Sequence, residues 1–307
     1  MFMRSLVALA LCLVACRPLP LAAEAPHAVK TQVHEIEIAG LDHQKVHVEV
    51  LLPPDYSPQR RYPVLYFNDG QDATAIHLMT HLQRHFAQND AVPRIVVAVS
   101  MLPDRMGIYG LADLPNRRSQ VAPTRYGDVG RSAFEYTQWF TQTLVPFVDA
   151  HYATQKTPQG RAVLGWSLGA VAAFSTGWQR PDLFGLIGMF SPSLWLSASR
   201  QDLESQLRTR LVQQRVANDP LPAPTPAVYL AIGSNEDKDD RDGDGINDAY
   251  DDVLDLAGGW KDMPGLAQRG VPYHVSLLVG GQHQQATWSR MLPRFLRWLD
   301  AQDHGTH

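Results

Sequence analysis

The sequence predicts an α/β domain: a mostly parallel central sheet with antiparallel N-terminal strands and helices on both faces. Three observations carry this. From residue 63 onward, short and nearly continuous apolar runs alternate with longer segments of helical periodicity. Before them, two segments alternate apolar and polar residues. One apolar run then ends in a Gly-x-Ser-x-Gly pattern that opens a helix. Unbroken apolar runs suit strands buried on both faces of a parallel sheet, and alternation suits strands with one wet face.

The elements follow in order. Residues 33–38 and 45–52 alternate and read as an antiparallel pair across the turn Gly40-Leu41-Asp42. Residues 53–58, rich in proline, form a loop. The apolar runs span residues 63–68, 94–100, 161–165, 186–191, 227–233 and 274–280. Residues 132–151 place Phe134, Phe140, Leu144, Phe147 and Val148 near helical spacing, with Tyr152 just beyond. Further helices are expected over 168–179, 199–216 and 288–300, with irregular chain at 103–130 and 218–226. The first irregular segment, rich in Pro, Gly and Arg, is suited to overhang a site. No internal repeat or hinge composition interrupts residues 26–303, so a single domain is expected, with an acidic insertion at 237–252.

Of the 307 residues, 45% are hydrophobic, enough for one large core. The net charge of −4, with no basic run, argues against nucleic acid as a partner. Residues 1–25 read as an export signal: Arg4 leads into an apolar stretch over 5–15 that is too short to span a bilayer. Leu13-Val14-Ala15-Cys16 resembles a bacterial lipobox, which would make Cys16 a lipid anchor to a bacterial membrane. The rival is plain cleavage near Ala22 or Ala23. The expected location is the periplasm or outer membrane, or outside the cell. Both cysteines, Cys12 and Cys16, fall in this segment, so the domain holds no disulfide and no thiolate site.

Gly165-Trp166-Ser167-Leu168-Gly169 is the strongest chemical signal. A nucleophilic serine on a sharp strand-to-helix turn needs glycines two residues either side, where side chains would collide. Ser167 is the candidate nucleophile. The Leu168 N–H, at the start of the helix, is a candidate oxyanion donor. The second donor is expected from the loop after Asn68, with the Gln71 N–H favoured over those of Gly70 and Asp72. Asp69, Gly70, Trp166 and Trp195 are expected around the substrate pocket.

The base should lie on a loop at the carboxyl end of a later strand. His283, in Gly280-Gly281-Gln282-His283, meets this condition, whereas His274 begins a strand and His304 and His307 lie in the tail. The acid should follow the run 227–233 and orient the imidazole. Glu236 and Asp237 both qualify, with Asp239 a third candidate, and physical reasoning leaves them open.

Taken together, these stretches resemble the esterase D family of α/β-hydrolases. The likeness rests on Leu52-Pro53-Pro54-Asp55-Tyr56, on the segment from Tyr62 to Gln71, on the serine pentapeptide, on Phe190-Ser191-Pro192-Ser193-Leu194-Trp195, and on the His283 loop with Trp288. It runs from about residue 33 to residue 300. It implies the α/β-hydrolase fold, a serine esterase acting through Ser167 and His283, and Glu236 as the acid. Feruloyl, acetylxylan and siderophore esterases belong to that family, as do acyltransferases. Two positions depart from the pattern: Ala170 stands where a further glycine is usual, and Gln282 intervenes before the histidine. Both bear on the shape of the pocket, and neither removes a catalytic atom. The expected partner is a small-molecule or glycan ester, with no cofactor for catalysis. A reading of another class is an inactive, calcium-stabilised binding module on the same fold.

Calcium is expected from the acidic stretch. Asp240, Asp242, Asp244, Asp248 and Asp251 occupy positions 1, 3, 5, 9 and 12 of a loop, with Gly245 at 6 and the Ile246 carbonyl at 7. Each carboxylate pair ~4 Å apart costs about 1 kcal/mol even in water, which a structural cation would relieve. His77, His81 and His85 recur every four residues but read as one face of a surface helix. Arg117 and Arg118 read as solvated charges.

Overall fold

The computed structural model describes residues 28–241 and 243–304. The export segment with Cys16, and Asp242 of the acidic stretch, lie outside the described residues.

Strands β1 (Lys30–Ile38) and β2 (Gln44–Leu52) form the antiparallel hairpin, with Lys30 opposite Leu52 and Ile38 opposite Gln44. Then come β3 (Val64–Asn68), helix α1 (Leu78–Phe86) and β4 (Ile95–Val99). A short helix α2 (Arg105–Ile108) leads into two small hairpins, β5 (Leu111–Asp113) with β6 (Arg118–Gln120), and β7 (Ala122–Thr124) with β8 (Gly127–Val129). Helix α3 (Ala133–Trp139) passes through a π-helical turn, Phe140–Leu144, into α4 (Val145–His151). Next are β9 (Arg161–Trp166), α5 (Leu168–Gln179), β10 (Leu186–Phe190), α6 (Leu203–Arg208) and α7 (Leu211–Asn218). The chain closes with β11 (Ala227–Gly233), α8 (Asp248–Gly258), β12 (Tyr273–Leu278) and α9 (Gln285–His304).

Eight strands make one sheet in the order β1-β2-β4-β3-β9-β10-β11-β12, parallel from β4 to β12. Every residue of β3, β4, β9 and β10 is buried, which is why they read as unbroken apolar runs. Their side chains alternate between two cores. Tyr66, Val97, Val163 and Ile187 pack toward α5 and the helices around it. Leu65, Phe67, Val96 and Leu164 pack toward α1 and α9.

Four departures from the sequence pattern have local causes. The helix expected over 132–151 widens at Phe140–Leu144 just before Pro146, whose missing N–H cannot continue the ladder. The helix expected over 199–216 breaks at Arg210, whose extended backbone (ψ 120°) carries its buried guanidinium to Asp252 and Asp255. Residues 111–129 form hairpins too short to show an alternation. Residues 248–251, expected as the end of a cation loop, open helix α8, which runs on through residues 252–258 that were given no element and is capped by the Asn247 side chain on the Tyr250 N–H at 3.0 Å.

Candidate active site

Ser167 stands between β9 and α5 with φ 56° and ψ −125°, a strained conformation for a side-chain-bearing residue. The chain reverses so tightly that a Cβ on Gly165 would lie 2.1 Å from the Gly169 carbonyl oxygen. Ser167 N–H donates to the Phe190 carbonyl at 3.0 Å, and its own carbonyl accepts from the Ser193 N–H at 3.2 Å. Its Oγ therefore projects from the carboxyl end of the sheet.

His283 sits on the loop after β12. Its Nε2 lies 3.0 Å from Ser167 Oγ, and its Nδ1 lies 2.9 Å from Glu236 Oε2. Glu236 follows the last residue of β11 by three positions, and its side chain is buried at 1% exposure. Its other oxygen accepts from the Gly233 N–H at 2.7 Å and from the Ser191 hydroxyl at 2.6 Å. Ser191 Oγ in turn accepts from Trp288 Nε1–H at 3.0 Å. With a carboxylate on Nδ1, the imidazole proton rests there and the Nε2 lone pair faces the serine hydroxyl. The structure thus places Glu236, not Asp237, on the imidazole. Asp237 lines a neighbouring cavity, and burial, followed by the charges of Asp239 and Asp248, pushes its carboxyl pKa up.

The loop after β3 is held by its own carboxylate. Asp69 has φ 62° and is fully buried. Arg105 grips it through Nε at 2.8 Å and Nη2 at 2.7 Å, and Gln71 Nε2 donates to it at 3.0 Å. Asp69 N–H donates to the Tyr109 hydroxyl at 3.0 Å, and Gln71 Oε1 accepts from Met101 N–H at 2.9 Å. Burial works against the Arg105 charge, but the bonds and charge of Asp69 outweigh it and hold the guanidinium pKa above its ordinary value. Asn68 Nδ2 donates to the Gly169 carbonyl at 2.9 Å, which ties this loop to the serine turn.

Gly70 and Gln71 lie in a 3₁₀ turn, Gly70–Asp72, while Leu168 is the first residue of α5. Trp166, expected at the substrate pocket, is buried at 1% exposure. It stacks on Trp288 with centroids 5.2 Å apart and donates from Nε1 to Asp72 at 3.1 Å, so it braces the site from below. Burial, then the neighbouring charge of Asp69, pushes the Asp72 pKa up. Trp195 is 40% exposed and faces the same cavity as Asp237.

Sequence reasoning gave no role to Ser191, Ser193 or Arg105. Ser193 Oγ lies 3.3 Å from Ser167 Oγ, and Ser191 orients Glu236. The place of both serines at the carboxyl end of β10 is a usable signal. Arg105 reaches Asp69 across the fold and has no local signal.

In the acidic stretch the described carboxylates of Asp240, Asp244 and Asp248 bond to nearby backbone. Asp240 accepts from the N–H groups of Gly243 at 2.8 Å and Gly245 at 3.0 Å, and Asp244 accepts from Ile246 N–H at 2.8 Å. Asp248 accepts from Arg241 N–H at 2.8 Å, and both it and Asp251 belong to the first turn of α8. Among the described residues, no three His, Cys, Asp or Glu side chains converge as a metal site. The Asp240 and Asp244 carboxylates bond to the loop's own backbone. His81 and His85 pack on α9, against Ser289 at 2.9 Å and Asp300 at 3.0 Å.

A mainly parallel sheet with a serine at its strand–helix turn, followed in the chain by an acid loop and a histidine loop, defines an α/β-hydrolase. The chain belongs to the family described as "Putative esterase", whose model matches residues 41–299. Among curated proteins it is 28% identical to the uncharacterized protein YjcH of Bacillus subtilis, over 47% of this chain and 54% of YjcH. It is 23% identical to an endo-1,4-beta-xylanase/feruloyl esterase of Xylanibacter ruminicola, over 78% of this chain and 27% of that protein. The chain thus spans about half of YjcH and about a quarter of the xylanase/esterase. Among solved structures, a ferulic acid esterase superposes with a TM-score of 0.65 at 17% identity, covering 90% of this chain and 99% of the other. The enterobactin esterase FES of Shigella flexneri superposes at 0.67 and 16% identity, covering 92% and 62% respectively. The protein has the α/β-hydrolase fold.

Proposed function

We propose that this protein is an exported serine carboxylic ester hydrolase working through Ser167, His283 and Glu236. The carrying observation is the unbroken hydrogen-bonded series from Ser167 Oγ through His283 to Glu236, with steps of 3.0 and 2.9 Å. His283 Nε2 takes the hydroxyl proton as Ser167 Oγ attacks the ester carbonyl. The N–H groups of Leu168 and Gln71 hold the oxyanion. As the tetrahedral adduct collapses, His283 returns the proton to the departing alcohol, leaving an acyl-serine. Water, deprotonated by His283, attacks that acyl group. Collapse frees the acid and restores the proton to Ser167. Glu236 keeps its charge and steadies the imidazolium in both halves.

Carbohydrate-linked or siderophore esters are the proposed substrates, in keeping with the export signal read from residues 1–25 and with the esterases it superposes on. Transfer of the acyl group to another alcohol is a variant in which that alcohol replaces water. A panel of acetyl, feruloyl, p-nitrophenyl and catecholate esters tests the reading on wild type and Ser167→Ala, together with a fluorophosphonate probe. Turnover and labelling are expected in the wild type alone. An unlabelled Ser167 in folded wild type would point to the inactive binding module instead.

The calcium reading of the acidic stretch rests on its sequence pattern alone. A melting curve in excess chelator, then with calcium restored, tests it. An unchanged curve removes the ion from the account.

A further inference from the structure

A cavity of about 440 Å³, within the range of small-molecule sites, is lined by chain that runs on from the catalytic groups. Two chain segments tie it to the catalytic groups. Asp237 on its wall follows Glu236 directly, and Trp195 stands two residues past Ser193, whose Oγ is 3.3 Å from Ser167 Oγ. One wall is the tip of the β7–β8 hairpin, where Arg125 stacks over the Tyr126 ring at 4.7 Å. The Thr124 hydroxyl fixes this tip by donating to the Gly127 carbonyl at 2.6 Å and accepting from Tyr126 N–H at 3.0 Å. The opposite wall, after β10, carries Trp195, Arg200 and Leu203.

Its chemistry is specific. Of the Trp, Tyr and Phe rings that stand largely in solvent among the described residues, Tyr126, Trp195 and Tyr273, the first two face this one cavity. Its charges balance. Arg210 and Arg241 line it with Asp248 and Asp252, and the four are already interlinked by ion pairs. Arg125 and Arg200 line it with Asp237 and Asp239. A ligand of net charge therefore meets as many repelling groups as attracting ones. A neutral polyol can use both kinds, since carboxylates accept and guanidiniums donate hydrogen bonds. The ring faces of Trp195 and Tyr126 suit the apolar face of a pyranose.

We infer that this cavity is a subsite for a neutral sugar residue of the ester substrate, with Trp195 and Tyr126 as its stacking platforms. The inference deepens the esterase reading above and rests on it. It favours glycan esters over anionic aromatic ones. Arg210 and Asp252, at 1% and 2% exposure, give the subsite a rigid floor.

The experiment compares kcat/KM for an O-acetyl methyl glucoside with that for ethyl acetate, in wild type, Trp195→Ala and Tyr126→Ala. The wild type should prefer the sugar ester, and each substitution should lower the sugar-to-ethyl ratio by about tenfold, equivalent to about 1.4 kcal/mol in the barrier. Both side chains are exposed, and thermal melting checks that the variants fold. A ratio unmoved by both substitutions overturns the inference. So does a preference for esters of carboxylate-bearing alcohols that Arg200→Ala abolishes. If the wild type hydrolyses neither ester, the catalytic reading fails by itself, and cellobiose titrated calorimetrically into Ser167→Ala protein decides the subsite. Binding that Trp195→Ala weakens upholds it, and no binding overturns it.

Discussion

Arg105 clamps the buried Asp69 carboxylate with two bonds, of 2.8 and 2.7 Å, and its Nη2 also donates to the Trp166 carbonyl at 3.3 Å. One side chain thereby joins the loop proposed to supply an oxyanion donor to the turn that carries Ser167. A Cβ on Gly169 would lie 2.6 Å from Asp69 Oδ2, so the carboxylate is wedged against the start of α5. Arg105 is a positioning residue in this arrangement. Arg105→Ala should lower kcat by about 10²-fold, the low end for loss of an oxyanion donor, with KM changed little. It also leaves a buried carboxylate unpaired, which lowers the melting temperature. Arg105→Lys keeps the charge but not the fork, and should recover only part of kcat. Steady-state kinetics beside a melting curve check this. A matching fall in folded fraction and kcat would reduce Arg105 to a purely structural role.

Glu236 accepts on both oxygens, from His283 on one side and from Gly233 and Ser191 on the other. Glu236→Gln keeps the shape but substitutes an NH₂ group for one acceptor. Whichever way the amide turns, one of those donors faces another donor. Nδ1 loses its carboxylate, and the imidazolium loses its counter-charge. A fall in kcat of up to about 10⁴ is expected, against about 10⁶ for Ser167→Ala. Asp237→Asn is the contrast: its side chain faces the cavity, so a loss as large as that of Glu236→Gln would contradict the assignment of the acid.

Gly233 sharpens the same point. A Cβ there would lie 2.3 Å from the Gly281 carbonyl oxygen and 2.8 Å from Glu236 Oε1. Gly233→Ala must therefore displace the histidine loop, the acid or both. Turnover should fall by at least about tenfold while fluorophosphonate labelling slows in parallel. Gly243, with open space around its Cα, tests a glycine outside the site. Gly243→Ala pays only for φ 76° and should leave turnover alone.

Much of this was legible in the chain. The apolar runs mark β3, β4, β9 and β10 because those strands are buried on both faces, and Gly165 and Gly169 mark the turn because no side chain fits there. His283 was legible from chain order and its place after a strand. The choice between Glu236 and Asp237 was legible through the family resemblance but not from physical reasoning, because it depends on whether Gly233 and Ser191 can bond the buried carboxylate. Arg105 and Ser191 escaped because their partners lie 36 and 45 residues away. The acidic stretch carries a cation pattern, and the start of α8 within it was not legible, because Asp248 and Asp251 suit both the loop and the first turn of a helix.

The last prediction concerns acid stability. Asp300 on α9 accepts from the buried Arg94 at 2.8 Å and pairs with His85 of α1 at 3.0 Å, and Asp303 takes a second contact from Arg94 at 2.9 Å. Burial works to raise the Asp300 pKa, but the bonds from His85 and Arg94 outweigh it, and the net shift is downward. A carboxyl whose pKa is lower folded than unfolded stabilises the fold above its unfolded value, about 3.9. That contribution fades as pH falls below about 4 toward the folded pKa. Asp300→Asn removes it at neutral pH and leaves Arg94 with Asp303 alone. A loss of about 3 kcal/mol is expected at pH 7, the low end for breaking a buried pair, because Asp303 still compensates. The gap in melting temperature between wild type and variant should hold between pH 7 and about 4 and narrow from there toward about pH 2. Calorimetric scans across that range would reject the assignment if the gap stayed constant, since the loss would then come from packing and not from the charge on Asp300.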